Sequence, residues 1–328
     1  MRLSGCGAIP RCLVALLLLL PAGIQAESPE FFEQFALPSS VEGIGFPRAV
    51  VADLHTTEIF VCDTRVGRIL VFGNDGFFNY EIPGGRVFST PMDLAVDPDG
   101  YLLLIASRKG VRMLMELDFD GLFLRDLELA GLPEDSAPPL LMSVAISPTG
   151  DRLYLVDESN LRLWITDRNG AIQKSIDLAA GYEAEERHDV MLGHVDRYGE
   201  EVLMAEASAG MVRRFTLDGD DLGRIGRPGT GPCQLNRPVA AALDSNGDLL
   251  VVDQRRMVVT RWSLEENRCL SEHLGIGASP GYLYFPLDLA LDPVGHLYIS
   301  QGFKGKVQAY EGLSAALDVD HASPTEPN

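Results

Sequence analysis

The stretch PMDLAVDPDGYLLLIASRKGVRMLM, from Pro91 to Met115, contains three short apolar runs separated by two turns. Met92 to Val96, Tyr101 to Ala106 and Val111 to Leu117 are too short for helices and lack a helical period. The separators Asp97-Pro98-Asp99-Gly100 and Ser107-Arg108-Lys109-Gly110 are turn chemistry, in which Pro and Asp set the turn and Gly accepts positive φ. A fourth run, Leu122 to Leu129, follows. Together they read as four consecutive antiparallel strands.

The same pattern begins again at Pro47, Leu141, Val190, Pro238 and Pro286, a spacing of 44 to 50 residues. Self-similarity at that period predicts a ring of repeated units, and four strands per unit predict a propeller. The expected fold is all-β, a six-bladed propeller of four-stranded antiparallel blades. The sixth copy lacks a fourth strand of its own. Phe31 to Pro38 resembles the outer strand Phe77 to Pro83, so an N-terminal strand is expected to complete the last blade and close the ring. The expected organisation is a leader over 1–26, one propeller over 27–313 and a polar tail over 314–328.

The run Ile225-Gly226-Arg227-Pro228-Gly229-Thr230-Gly231-Pro232-Cys233-Gln234-Leu235-Asn236-Arg237-Pro238, followed by Leu249 to Asp253, resembles an NHL repeat. Pro286 to Asp292, Leu297-Tyr298-Ile299 and Lys306 to Tyr310 resemble the same pattern. The second and fourth copies depart from it, with Ser107 and Glu206 where the pattern has Asp. The resemblance implies a fold and does not by itself imply an activity.

Arg2 and Arg11, the apolar run Leu13 to Leu20 and the small-residue end at Ala26 read as a secretory signal peptide. The expected location is therefore secreted or periplasmic, without membrane insertion. Those 26 residues hold two basic and no acidic side chains, which leaves 25 Lys+Arg against 47 Asp+Glu and a charge of −22. Such a chain repels nucleic acid, which is excluded as a partner. Cys62, Cys233 and Cys269 remain. Cys62 lies within an apolar strand, while Cys233 and Cys269 read as loop and turn residues at opposite ends of a blade, so no bridge between them is expected.

Recurrence separates blade-building residues from candidates for a site. Arg68, Arg112, Arg162, Arg213 or Arg214, and Lys306 open third strands, while Asp63, Asp157, Glu206 and Asp253 end second strands. An ion pair within each blade is the expected use. Arg65, Arg108, Lys109, Arg255, Arg256 and Lys304 occupy the same loops without recurring, and give that face a local basic excess. Arg108, Lys109, Arg255 and Arg256 are candidates for holding an acidic protein or glycan.

Along the first strands, Val51, Ala95, Ala145, His194, Ala242 and Ala290 align as one column facing the channel. Ala49, Asp93, Ser143, Leu192, Ala240 and Asp288 align as the column before it. Asp93, Asp288 and His194 are thus the candidate channel residues, with the chemistry to bind a cation or exchange protons, or simply to satisfy backbone amides. Peptide-amidating lyases are similar in repeat but gather several histidines around zinc, and gluconolactonase-like enzymes gather carboxylates with amides. This chain has neither set. Asp244 to Asp248 reads as a turn and not as a calcium loop.

The reading that results is an exported binding propeller, not an enzyme. It needs no cofactor or metal, and recognises a protein or glycan, with a cell-envelope complex as one setting. The alternative is a metal-dependent hydrolase or lyase acting at the channel mouth.

Overall fold

The computed structural model describes residues 30–38 and 41–311; the leader over 1–26 and the tail over 314–328 lie outside the described residues. The fold is a six-bladed β-propeller of four-stranded antiparallel blades. In the second blade the strands are Thr90–Val96, Leu102–Arg108, Val111–Leu117 and Phe123–Leu127, in sequence order from the axis outward. The inner strands of the other blades are Pro47–Ala52, Leu141–Ile146, Val195–Tyr198, Pro238–Leu243 and Pro286–Leu291. The only helices among the described residues are two 3-10 turns, and no helix there is long and apolar enough to cross a membrane.

Blades pack face to face, so the middle strands are buried on both sides and read as continuous apolar runs such as Leu102 to Ala106. Six apolar clusters follow, one per seam. Phe60, Ile69 and Val71 of the first blade meet Leu102, Leu104 and Met115 of the second. Trp164 and Leu153 of the third meet Leu103 and Ile105 of the second. Outer strands keep the alternation of a half-exposed strand, as in Phe78–Pro83.

The ring closes as expected. Glu30–Gln34 pairs antiparallel with Lys306–Glu311 as the fourth strand of the sixth blade. Phe35 follows it into the seam between the last and first blades, 4.5 Å from Phe72 and 5.7 Å from Tyr298 between ring centroids.

Two expectations about the blades are corrected. In three of the four blades that end the second strand in a carboxylate, that carboxylate chiefly holds the backbone of the incoming loop, whereas Glu206 binds the Arg224 and Arg213 guanidiniums. Asp253 accepts from the amides of Asn236, Arg237, Arg255 and Arg256 at 2.6–3.0 Å. Asp157 takes the Leu140 amide and the Trp164 indole, and Asp63 the Gly45 and Phe46 amides. Arg68 keeps the expected pairing, 3.4 Å from Asp63, as does Arg213, 3.8 Å from Glu206; Arg162 turns to Asp177 and Arg112 to the Leu141 carbonyl. Loop amides buried without a partner cost more than a solvated Arg gains from a carboxylate, which explains the priority.

The second correction concerns the cysteines. Cys233 and Cys269 form a disulfide with Cα atoms 5.7 Å apart. Cys269 lies on the outer strand Arg268–His273, not in a turn. The loop carrying Cys233 folds against that strand, where its amide donates to Glu272. Cys62 stays free and buried, and burial pushes its thiol well above the ordinary range.

Candidate functional site

Each inner strand except that of the fourth blade carries a bulge just inside its start. The register skips between Pro47 and Ala49, Pro91 and Asp93, Leu141 and Ser143, Pro238 and Ala240, and Pro286 and Asp288. A bulge re-aims the residue beside it, a common device next to sites. The residues just past it, Ala49, Asp93, Ser143, Ala240 and Asp288, form one tier around the axis.

Their backbones lock the tier into a relay. Asp288 Oδ2 accepts the Val50 amide of the next blade, Asp93 Oδ2 the Val144 amide, and Ser143 Oγ the Val195 amide. Ala49 and Ala240 have no acceptor to offer their neighbours. The Leu94 and Leu289 amides are bonded instead by their own blades' Asp93 and Asp288, each through Oδ1 at 2.9 Å.

That relay places His194 in this tier, alongside Asp93 and Asp288, and not in the column of Ala95. The His194 amide donates to Val239 and its carbonyl accepts from Ala205. Asp196, two residues on, pairs with Leu203 as Ala95 pairs with Leu103 and Ala145 with Tyr154. The two-residue shift arises at the turn. Val195-Asp196-Arg197-Tyr198-Gly199 resembles Val96-Asp97-Pro98-Asp99-Gly100, yet the strand runs on to Tyr198, which pairs with Glu201 across a two-residue turn. Asp97 is a true turn residue, accepting the Asp99 and Tyr101 amides. Asp244 behaves likewise, so its loop is the turn expected.

Asp93, His194 and Asp288 therefore converge. His194 Nδ1 lies 3.5 Å from Asp288 Oδ1 and 3.8 Å from Asp93 Oδ1. All three residues are buried, at 3%, 8% and 5% exposure in chain order. Burial pushes Asp93 up to about 7, and burial followed by the Asp93 charge pushes Asp288 well above the carboxylate range. Burial, with Arg48 second, pushes His194 down to about 3. The contacts are thus not an ordinary ion pair: each group's charged form is costly, and the imidazole is held neutral.

Below the tier is a cavity of ≈ 330 Å³. Its walls are small, including Ala95, Ala145 and Ala290, with Asp196 and Tyr198 as its polar side. Burial pushes Asp196 up to about 6. The lining continues to the turn residues Asp53, Pro98 and Pro148. The bulge residues Met92, Met142, Val239 and Leu287 are nearly buried and do not line it. The cavity therefore opens where inner strands end, away from the basic loops.

Those loops do not gather. Arg108 and Lys109 belong to the second blade and Arg255 and Arg256 to the fifth, on opposite sides of a six-membered ring. Arg108 is bound to Asp126 and the Val87 carbonyl, and Arg256 to Glu272 and the Gln234 carbonyl. Arg255 borders a separate open groove. Lys109 is exposed at a positive-φ turn.

No protein-family model matches the chain, and no curated protein matches it in sequence. Among solved structures it is similar to a structural genomics protein of unknown function from Bacteroides thetaiotaomicron VPI-5482. The identity is 14% and the TM-score 0.61, over 86% of this chain and 72% of that one. At that identity the likeness concerns the fold alone. The class defined by fold and site is a six-bladed propeller with a carboxylate–imidazole tier on its axis.

Proposed function

We propose that the chain is an exported NHL-type propeller that acts by binding, and that it takes the exposed end of a glycan into the axial cavity. The observation that carries this reading is the cavity itself, lined by Asp93, Asp196, Asp288, His194 and Tyr198. Carboxylates, imidazole and phenol exchange hydrogen bonds with sugar hydroxyls, while the alanines leave width for a ring. The acidic lining disfavours anionic ligands. Two supports bear on the finer points. The Cys233–Cys269 bridge suits an oxidising compartment. The glycine-rich loops entering the fifth and sixth blades repeat one closure, pairing Pro228 with Leu235 and Ile276 with Leu283.

The test is calorimetric titration with a panel of neutral and anionic oligosaccharides. Saturable binding of neutral sugars that weakens at least about tenfold in Asp196→Asn is expected, the scale of one lost charged hydrogen bond. No binding across the panel, or binding that only Arg255→Ala affects, overturns the cavity reading. A metal-dependent hydrolase or lyase in the same cavity is the second reading, favoured by the imidazole set between two carboxylates. Cleavage of the bound sugar during the titration identifies it.

A further inference from the structure

We propose that Asp93, His194 and Asp288 form a binding site for one divalent first-row transition-metal ion, zinc in the first instance, on the propeller axis. Each offers one ligand atom, and the three atoms lie within 4.8 Å of one another. A tetrahedral ion with bonds near 2.1 Å sets its ligand atoms about 3.4 Å apart. His194 Nδ1 is already 3.5 and 3.8 Å from the two Oδ1 atoms, so it needs shifts of only a few tenths of an ångström, while the two carboxylate oxygens close on the ion from within 4.8 Å.

Three further observations point the same way. The His194 ring is more than nine-tenths buried and makes no hydrogen bond among the described residues, while facing both carboxylates. The carboxylates are oriented in advance: Ser143 Oγ and the Val144 amide hold Asp93 Oδ2, and the Val50 amide holds Asp288 Oδ2. Each Oδ1 accepts one amide, which leaves a lone pair for an ion. Charge decides the class of occupant. Two buried carboxylates and a neutral imidazole are matched by a dication: Arg48 acts on His194 from nearby, but no Lys or Arg ion-pairs with Asp93 or Asp288 among the described residues. Calcium and magnesium prefer oxygen ligands alone, whereas imidazole with carboxylates suits zinc or manganese.

Three protein ligands leave at least one coordination position, directed to the cavity below. The site departs from the cofactor-free scaffold expected of the sequence. It does not depend on the glycan reading, because the ion is measured without any ligand.

The experiment uses the full purified chain, stripped with a chelator and then dialysed against zinc, manganese or calcium chloride. Metal content and the thermal midpoint are read on each sample. One zinc per chain, a midpoint raised by several degrees and no response to calcium are expected. His194→Ala removes a ligand without touching the amide relay, so it folds and loses at least about 100-fold in zinc affinity. Asp93→Asn with Asp288→Asn abolishes the ion, and circular dichroism on the stripped protein checks that this variant is folded. Absence of stoichiometric metal in the wild type, or a His194→Ala variant that binds zinc as tightly, overturns the site. A propeller that binds metal and no glycan leaves the site standing and sinks only the function above.

Discussion

Asp196 is the side chain whose position matters most beyond the tier itself. Its carboxyl is half-buried on the cavity wall, and burial holds its folded pKa near 6, above the ordinary value of 3.8. A carboxyl raised in this way costs nothing below about pH 4, where folded and unfolded chains are both protonated. It destabilises progressively as pH rises toward 6, because the unfolded chain ionises first. Asp196→Asn, in chelator-treated protein, is therefore expected to be neutral at pH 4 and stabilising at pH 8, by on the order of 2 kcal/mol. Urea denaturation at the two pH values measures this, and a variant less stable at pH 8 than the wild type contradicts it. His194 runs the other way. Its pKa is lowered to about 3, so its contribution is gained as pH rises from about 3 to about 6.5. Asp93 and Asp288 were legible in the sequence because they interrupt a column of small residues. Asp196 was not, because Val195-Asp196 followed by Gly199 imitates the turn of other blades. The signal against that reading was Arg197-Tyr198, a pair of poor turn formers where the second, third, fifth and sixth copies begin the turn with Pro or Ser.

At the scale of elements, the recurring carboxylates and the loop disulfide carry the stability arguments. Asp253 is fully buried and accepts four loop amides. Its replacement by Ala strands those donors and is expected to cost about 3–5 kcal/mol, read as a shifted urea midpoint with unchanged slope. Arg162→Ala, which removes only a partly exposed contact with Asp177, is expected to cost less than about 1 kcal/mol. Cys233 and Cys269 enclose a separation of 36 residues, for which chain entropy gives about 4 kcal/mol. Reductant is expected to lower the thermal midpoint by several degrees, and Cys233→Ser to lower it equally and no longer respond. Strand order and the boundaries outside the fourth blade's inner strand were readable because turns and apolar runs are local. The disulfide was not, because it depends on how far a glycine-rich loop reaches along the blade edge.

At the scale of the molecule, closure rests on one short strand and one ring. Phe35 is 3% exposed at the seam and touches residues from both ends of the chain. Phe35→Ala is expected to cost about 3–5 kcal/mol, and deletion of residues 27–38 to expose the free edge of Lys306–Glu311. Calorimetry and light scattering check the pair. A truncated chain that stays monodisperse with an unchanged midpoint contradicts the closure argument. Six blades and their closing strand were visible in the sequence because repetition states them six times over, and the incomplete last copy points to its missing part.

That closing strand also sets an order of events. Among the described strands Glu30–Gln34 is made before all others and its partner Lys306–Glu311 after all others. Throughout synthesis the opening segment has nowhere to dock, and the first blade waits with one face bare. Local blades can form early, because their contacts are near in sequence, whereas ring closure joins residues 274 to 281 positions apart. The meeting of the two ends is therefore expected to be the slowest step of folding, read as a slow refolding phase that Phe35→Ala slows further. Until it occurs, the half-built ring presents an unpaired strand edge to its neighbours, and crowding or delay at that moment leads to exchange of closing strands between chains.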